Sequence, residues 1–224
     1  MGQGVEEEAT ALVVPLVTST EAPLDEVAVT WMRDDHQPLA AARLLAHEVA
    51  RISGTPAAEV RVVHSCPQCG SADHGTPVVV TPRRPAMSVS VSRAPGAVVV
   101  AVSMVGAVGV DLERPDAARF AGFGRVALNE HEQAPTIESR ATTWVRKESL
   151  LKATGQGLHL DPSTIRISGA HQAPRIVEWP GATRPPATQM RDLEIDDYVA
   201  CLTVLGEDEP RVTVRQEDPA ALSG

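Results

Sequence analysis

Two stretches of this 224-residue chain have the length and apolar spacing of helices, Pro38–Ile52 and Glu138–Thr154, and they stand far apart among short β-like runs. The first begins on proline and stops before Gly54; the second ends at Gly155. Around the first lie Leu12–Val17, Val27–Trp31, Val60–Val63, Pro77–Thr81, Met87–Ser92 and Ala97–Met104, with Val108–Glu113 closing the group. Thr164–Ile167, Met190–Ile195 and Tyr198–Leu205 follow the second helix, the last two joined through Asp196-Asp197 as a hairpin. Each half thus reads as one principal helix with several strands. That predicts an α+β fold of two similar lobes, each a small sheet packed on its helix, with a cleft between them. The boundary falls near Gly106, giving lobes at 1–106 and 107–206. An acidic tail from 207 to 224 holds one further candidate strand, Val212–Arg215.

Composition narrows the class. Hydrophobic residues make up 43%, enough for one sizeable core or two modest ones, and aromatics only 3%, so Val, Leu, Ala and Ile must fill it. A formal charge of −9 with no basic run argues against nucleic-acid binding, while leaving room for a local phosphate pocket. The N-terminus carries three consecutive glutamates and too short an apolar stretch for a signal peptide, and no segment approaches the ~18 apolar residues of a membrane span. Three cysteines, Cys66, Cys69 and Cys201, leave one over, which suits a reducing compartment. The expectation is a soluble, cytoplasmic protein.

Two segments carry the chemistry. In VGVDLER, Val108–Arg114, strand alternation points Asp111 and Glu113 to one face, where two carboxylates can hold a hard cation; a solvated strand end fits the same pattern. In WVRKESLLKATGQGL, Trp144–Leu158, the spacing of four puts Trp144, Glu148 and Lys152 on one helical face, with Lys147 on the neighbouring one. A surface Glu–Lys pair is the plain alternative, less comfortable beside a tryptophan. Together, three carboxylates and two lysines describe a site for magnesium and phosphate.

The order V-G-V-D-x-E, then W-x-x-K-E-x-x-x-K, resembles the 4′-phosphopantetheinyl transferases, in their larger, single-chain, surfactin-synthetase-activating class. CPQCGSADHGTPVV, SVSVSRAPGAVVVAV and IDDYVACLTV extend the resemblance over roughly residues 38–205. It implies two similar lobes with the active site in the cleft between them. It also implies Mg²⁺ (Mn²⁺ as a substitute) on Asp111, Glu113 and Glu148, and coenzyme A as co-substrate. The partners implied are acyl or peptidyl carrier proteins of polyketide or nonribosomal peptide synthesis, and a monomer suffices. Glu148 would activate the carrier serine and Lys152 would neutralise or protonate the departing 3′,5′-ADP. Lys147 has a weaker claim on the coenzyme and could instead hold the helix.

Two departures stand out. The family's Ser-His-Ser is Ser92-Arg93-Ala94 here, arginine keeping a phosphate contact with permanent charge. Its Gly-Lys-Pro is Gly75-Thr76-Pro77, which loses a cation. Arg43, on the first helix, could face the coenzyme's 3′-phosphate or only solvent. The departures motivate an alternative, a coenzyme-A-binding protein on the same fold without the reaction. Cys66 and Cys69, with His64 and His74, fit either a zinc knuckle or a plain reduced turn, and a zinc-stabilised interaction module is a further alternative. Cys201 alternates within an apolar strand, as a core residue would. Phe120–Leu128, with Arg119, Phe123, Arg125 and Val126, is a candidate carrier-docking patch or a loop packed on its own lobe.

Overall fold

The computed structural model describes residues 26–34, 37, 39–65, 70–71, 75–82 and 87–222. The expected strand Leu12–Val17, Pro38, and Cys66, Cys69 and His74 of the candidate zinc knuckle lie outside them. The strands are β1 (Glu26–Asp34), β2 (Arg61–Ser65), β3 (Thr76–Val80), β4 (Ser88–Ala94), β5 (Gly96–Ser103), β6 (Val108–Glu113), β7 (Arg166–Ile167), β8 (Ile176–Glu178), β9 (Thr188–Ile195), β10 (Tyr198–Leu205) and β11 (Arg211–Gln216). The helices are α1 (Ala40–Ser53), α2 (Phe123–Ala127) and α3 (Ile137–Ala153). The architecture is α+β, with few helices and several small sheets.

A four-stranded sheet in the order β11-β1-β5-β4 and a three-stranded sheet in the order β6-β10-β9 share one core. Alternation explains how. Val27, Val29 and Trp31 of β1 and Val99 and Ala101 of β5 meet Val108, Val110 and Leu112 of β6 and Leu202 and Val204 of β10. The opposite face of the first sheet, with Ala28, Met32, Val98, Val100 and Val102, packs on Leu44, Leu45, Val49 and Ile52 of α1. Each fully buried Val or Leu contributes about 2 kcal/mol. Helix α1 stops at Gly54, whose φ of 66° is left-handed and whose N–H caps the Ala50 carbonyl.

Helix α3 lies against the outer face of the second sheet, and glycine makes that possible. A Cβ on Gly109 would sit 1.9 Å from the Ser149 carbonyl oxygen and 2.5 Å from the Ala153 nitrogen. The helix opens with a reciprocal capping box between Thr136 and Ser139. The hairpin of β7 and β8, a pairing of which only β7 was expected, helps cover α3 through Ile165, Ile167 and Ile176 against Leu150 and Leu151. Arg146, fully buried, pairs with Asp192 at 2.9 and 2.5 Å and takes the carbonyls of Ser168, Gly169, Ala170 and Gln172.

The acidic tail holds β11, which runs parallel to β1, Glu26 opposite Arg211 and Trp31 opposite Gln216. Among the described residues no helix is long and apolar enough to cross a membrane.

Candidate active site

The edges β4 and β6 come together without a backbone ladder, and serine hydroxyls bridge them. Ser88 Oγ accepts the Val108 N–H at 2.9 Å and Ser90 Oγ the Val110 N–H at 3.0 Å. At the third rung the polarity reverses: Ser92 Oγ donates to Asp111 Oδ1 at 2.7 Å. Asp111 is 5% exposed. Because Val108, Val110 and Leu112 face the sheet–sheet core, Gly109, Asp111 and Glu113 face the other way, the side on which α3 packs.

From α3, Lys152 Nζ donates to the same Asp111 Oδ1 at 2.6 Å, and to the carbonyls of Val110 at 3.1 Å and Val91 at 3.3 Å. An ammonium has three protons, so this one is fully engaged. Asp111 Oδ2 and Glu148 Oε1 are buried without a hydrogen-bond partner. They make up two of the four such side-chain oxygens among the described residues, and the only two that belong to carboxylates. Burial, then the Asp111 charge, raises the Glu148 carboxyl above the usual range, against the opposing pull of Lys152. Burial and Asp111 likewise push Glu113 up to about 7, with Lys152 pulling the other way. Three carboxyl groups therefore feel one another electrostatically around one lysine.

Oxygen donors with two unsatisfied buried atoms fit a hard divalent cation. Among the described residues no three His, Cys, Asp or Glu side chains close into a ready-made cage. A Mg²⁺ ion does not require one, since it keeps waters and takes substrate phosphate oxygens.

The other expected residues divide into three groups. Ser92 belongs to the carboxylate site, its proton spent on Asp111 rather than offered to a coenzyme. Arg93, next along β4, is exposed, with Nη1 3.8 Å from Asp34 Oδ2. Asp34 and Arg43 line one cavity of about 400 Å³ with Arg33, Gln37 and Leu222, so Arg93 and Arg43 flank a common surface beside α1. Gly75, Thr76 and Pro77 sit at the start of β3, paired with β2 through Pro77–His64 and Thr76–Ser65, and Gly75 has a φ of 108°.

Lys147 makes none of its hydrogen bonds with Asp111, Glu113 or Glu148, and its partners fit the helix-holding alternative. Its ammonium is fully buried, donating to Glu132 Oε2 at 2.6 Å and to the carbonyls of Ala127, Ile165 and Pro162 at 2.7, 2.7 and 3.0 Å. Burial pulls it below the usual lysine range, with Glu132 opposing. It ties the segments before and after α3 to the helix. The 120–128 patch splits as well. Phe123 is buried, edge-on to Trp144 at 6.4 Å, while Phe120 and Val126 are exposed beside exposed Arg119 and Arg125. Cys201 is fully buried, as expected, and burial pushes its thiol up to about 12.

Residues 107–203, somewhat under half of the chain, match the model of the 4′-phosphopantetheinyl transferase superfamily. That segment contains Asp111, Glu113, Glu148 and Lys152. No curated protein matches the chain.

Proposed function

We propose that this protein transfers the 4′-phosphopantetheine arm of coenzyme A to a serine of an acyl or peptidyl carrier protein and releases 3′,5′-ADP. The observation that carries the reading is the pair of orphaned buried oxygens, Asp111 Oδ2 and Glu148 Oε1, inside the matched segment. In this reading the two sheet–helix units are the two lobes of the larger, single-chain class. The protein acts as a cytoplasmic monomer and serves polyketide or nonribosomal peptide synthesis.

Asp111, Glu113 and Glu148 would hold Mg²⁺, or Mn²⁺ in its place, which when bound supplies charge neutralisation and polarisation of the pyrophosphate. The rest is the work of the chain itself. Glu148, made more basic by its burial, takes the proton of the carrier serine. The serine oxygen bonds to the β-phosphorus, the bond from that phosphorus to the bridging oxygen breaks, and the electron pair leaves on 3′,5′-ADP. Lys152 contributes fixed positive charge rather than a proton, since its three donors are engaged. Arg93 and Arg43 fit the adenosine 3′-phosphate from the α1 side, with the Gly75–Pro77 turn shaping the approach.

The test is the intact mass of a purified apo carrier protein after incubation with this protein, coenzyme A and Mg²⁺, with a metal-free control. A metal-dependent gain of one phosphopantetheine group is expected. No gain with several carriers, while coenzyme A still binds, would replace the reading with a coenzyme-A-binding protein on the same fold.

A further inference from the structure

Asp111 is the most constrained of the three carboxylates, and its two oxygens are treated differently. Oδ1 accepts two short hydrogen bonds, from Ser92 at 2.7 Å and from Lys152 at 2.6 Å. Oδ2 is buried and accepts none. One donor comes from the α1-side sheet and the other from α3, so the carboxylate is clamped from both sides. Ser92 is itself 7% exposed. The serine ladder explains how it is aimed: Ser88 and Ser90 lock β4 to β6 through the backbone N–H groups of Val108 and Val110. The third hydroxyl then arrives in register with the side chain of Asp111.

From this geometry we infer that Ser92 is a positioning residue that sets how Asp111 can bind a cation: through Oδ2 alone, and so in favour of Mg²⁺ over Ca²⁺. The inference rests on the metal reading of the proposed function. Mg²⁺ demands near-ideal octahedral geometry, with each carboxylate giving one oxygen and waters completing the shell. Ca²⁺ accepts six to eight ligands and readily takes both oxygens of a carboxylate. A carboxylate whose Oδ1 is held by a hydroxyl and an ammonium offers the first ion what it needs and denies the second its usual chelate. Without Ser92, Oδ1 loses the neutral donor that helps fix the plane of the carboxylate, and the group is freer to turn both oxygens inward.

The experiment uses the purified full-length chain. Mn²⁺ binding is followed by electron paramagnetic resonance and reversed with Mg²⁺ or Ca²⁺ in the wild type and in Ser92→Ala, Ser92→Thr and Ser90→Ala. Ser92→Ala is expected to weaken Mg²⁺ by about tenfold, as loss of a hydrogen bond to a metal ligand commonly does, with Ca²⁺ little affected. Ser92→Thr keeps the hydroxyl and is expected to restore the wild-type ratio. Ser90→Ala removes a rung that aims Ser92 without touching the carboxylate and is expected to shift the ratio less than Ser92→Ala does. An unchanged ratio in Ser92→Ala, or an equal shift in Ser90→Ala, would overturn the inference. Should Ser92→Ala not fold, infrared difference spectra of the Mg²⁺-loaded wild type against Asp111→Asn decide: a one-oxygen carboxylate band supports it and a chelating band sinks it. A wild type that takes up no Mn²⁺ would instead remove the metal reading beneath it.

Discussion

Glu48 on α1 and Glu148 on α3 make an instructive pair. Glu48 is 1% exposed and roofed by guanidinium, with Arg51 at 2.7 Å and Arg215 at 3.4 Å, while Glu26 completes the cluster. Glu148 has a buried oxygen with no partner, and Asp111, another acid, beside it. A paired buried charge has a structural purpose that ends with its partners; an unpaired one is costly unless something outside the chain completes it. The first unit of the molecule is electrostatically closed around its glutamate. The second is left open around its own.

The comparison can be broken most severely at the open end. Asp111→Asn or Glu148→Gln is expected to lower carrier modification by about a hundred- to a thousandfold, the scale of losing a central electrostatic group, and Glu148→Gln to do so without lowering the metal-free unfolding free energy. Full activity in either variant would remove these groups from the site. Gly109→Ala comes next. Its Cβ meets α3 backbone at 1.9 Å, and with no flexible side chain there to yield, a loss of about 3 kcal/mol is expected in urea unfolding. An unchanged midpoint would mean that α3 and β6 are not locked as described. Glu48→Gln should cost about 2 kcal/mol, because Arg51 and Arg215 lose a charged acceptor but remain partly solvated. Together with Glu148→Gln it tests the contrast directly, since one isosteric change is destabilising and the other is not.

Smaller effects sharpen the picture. Tyr198 Oη donates to the Pro95 carbonyl at 2.8 Å and accepts from Arg33 at 3.2 Å, joining the β4–β5 turn, β1 and β10. Tyr198→Phe should therefore cost about 1 kcal/mol by thermal or chemical unfolding. Last comes a slope with pH. Glu113 titrates at about 7 in the folded chain against 4.5 for an ordinary glutamate, so between these values the folded state holds a proton that the unfolded state has released. Metal-free stability should fall as pH rises through that window and level off above it, and Glu113→Gln should flatten the slope.

How much of this was legible in the sequence depended on whether a residue's neighbours were local. Asp111, Glu113, Glu148 and Lys152 were readable because strand alternation and helical spacing place them on the right faces before any tertiary contact is known. For Lys147 the choice between coenzyme and helix stayed open, since its four acceptors come from residues 127, 132, 162 and 165, which share no motif with it. The alternating serines of SVSVS were visible, but not that two would accept and the third donate. The gross α+β layout followed from the positions of two helices. The place of β11 did not, because a parallel partner contributed by a distant strand leaves no periodic trace in either segment.

That last pairing bears on how the chain is made. As the polypeptide emerges from a ribosome, β1 and α1 appear early, yet β1 lacks a neighbour and Glu48 lacks Arg215 until residues 211–216 have been synthesised. The carboxylate-bearing segments emerge in between. The early-made half must therefore wait, partly unfinished, for the late-made strand, and a chain aborted before Arg211 would carry all four of its chemical residues on a scaffold with an exposed strand edge and a buried Glu48 left with Arg51 but without Arg215. Translation to the far side of β11 becomes a checkpoint for the whole fold, and such truncated products are expected to be cleared as misfolded rather than to accumulate as small active fragments.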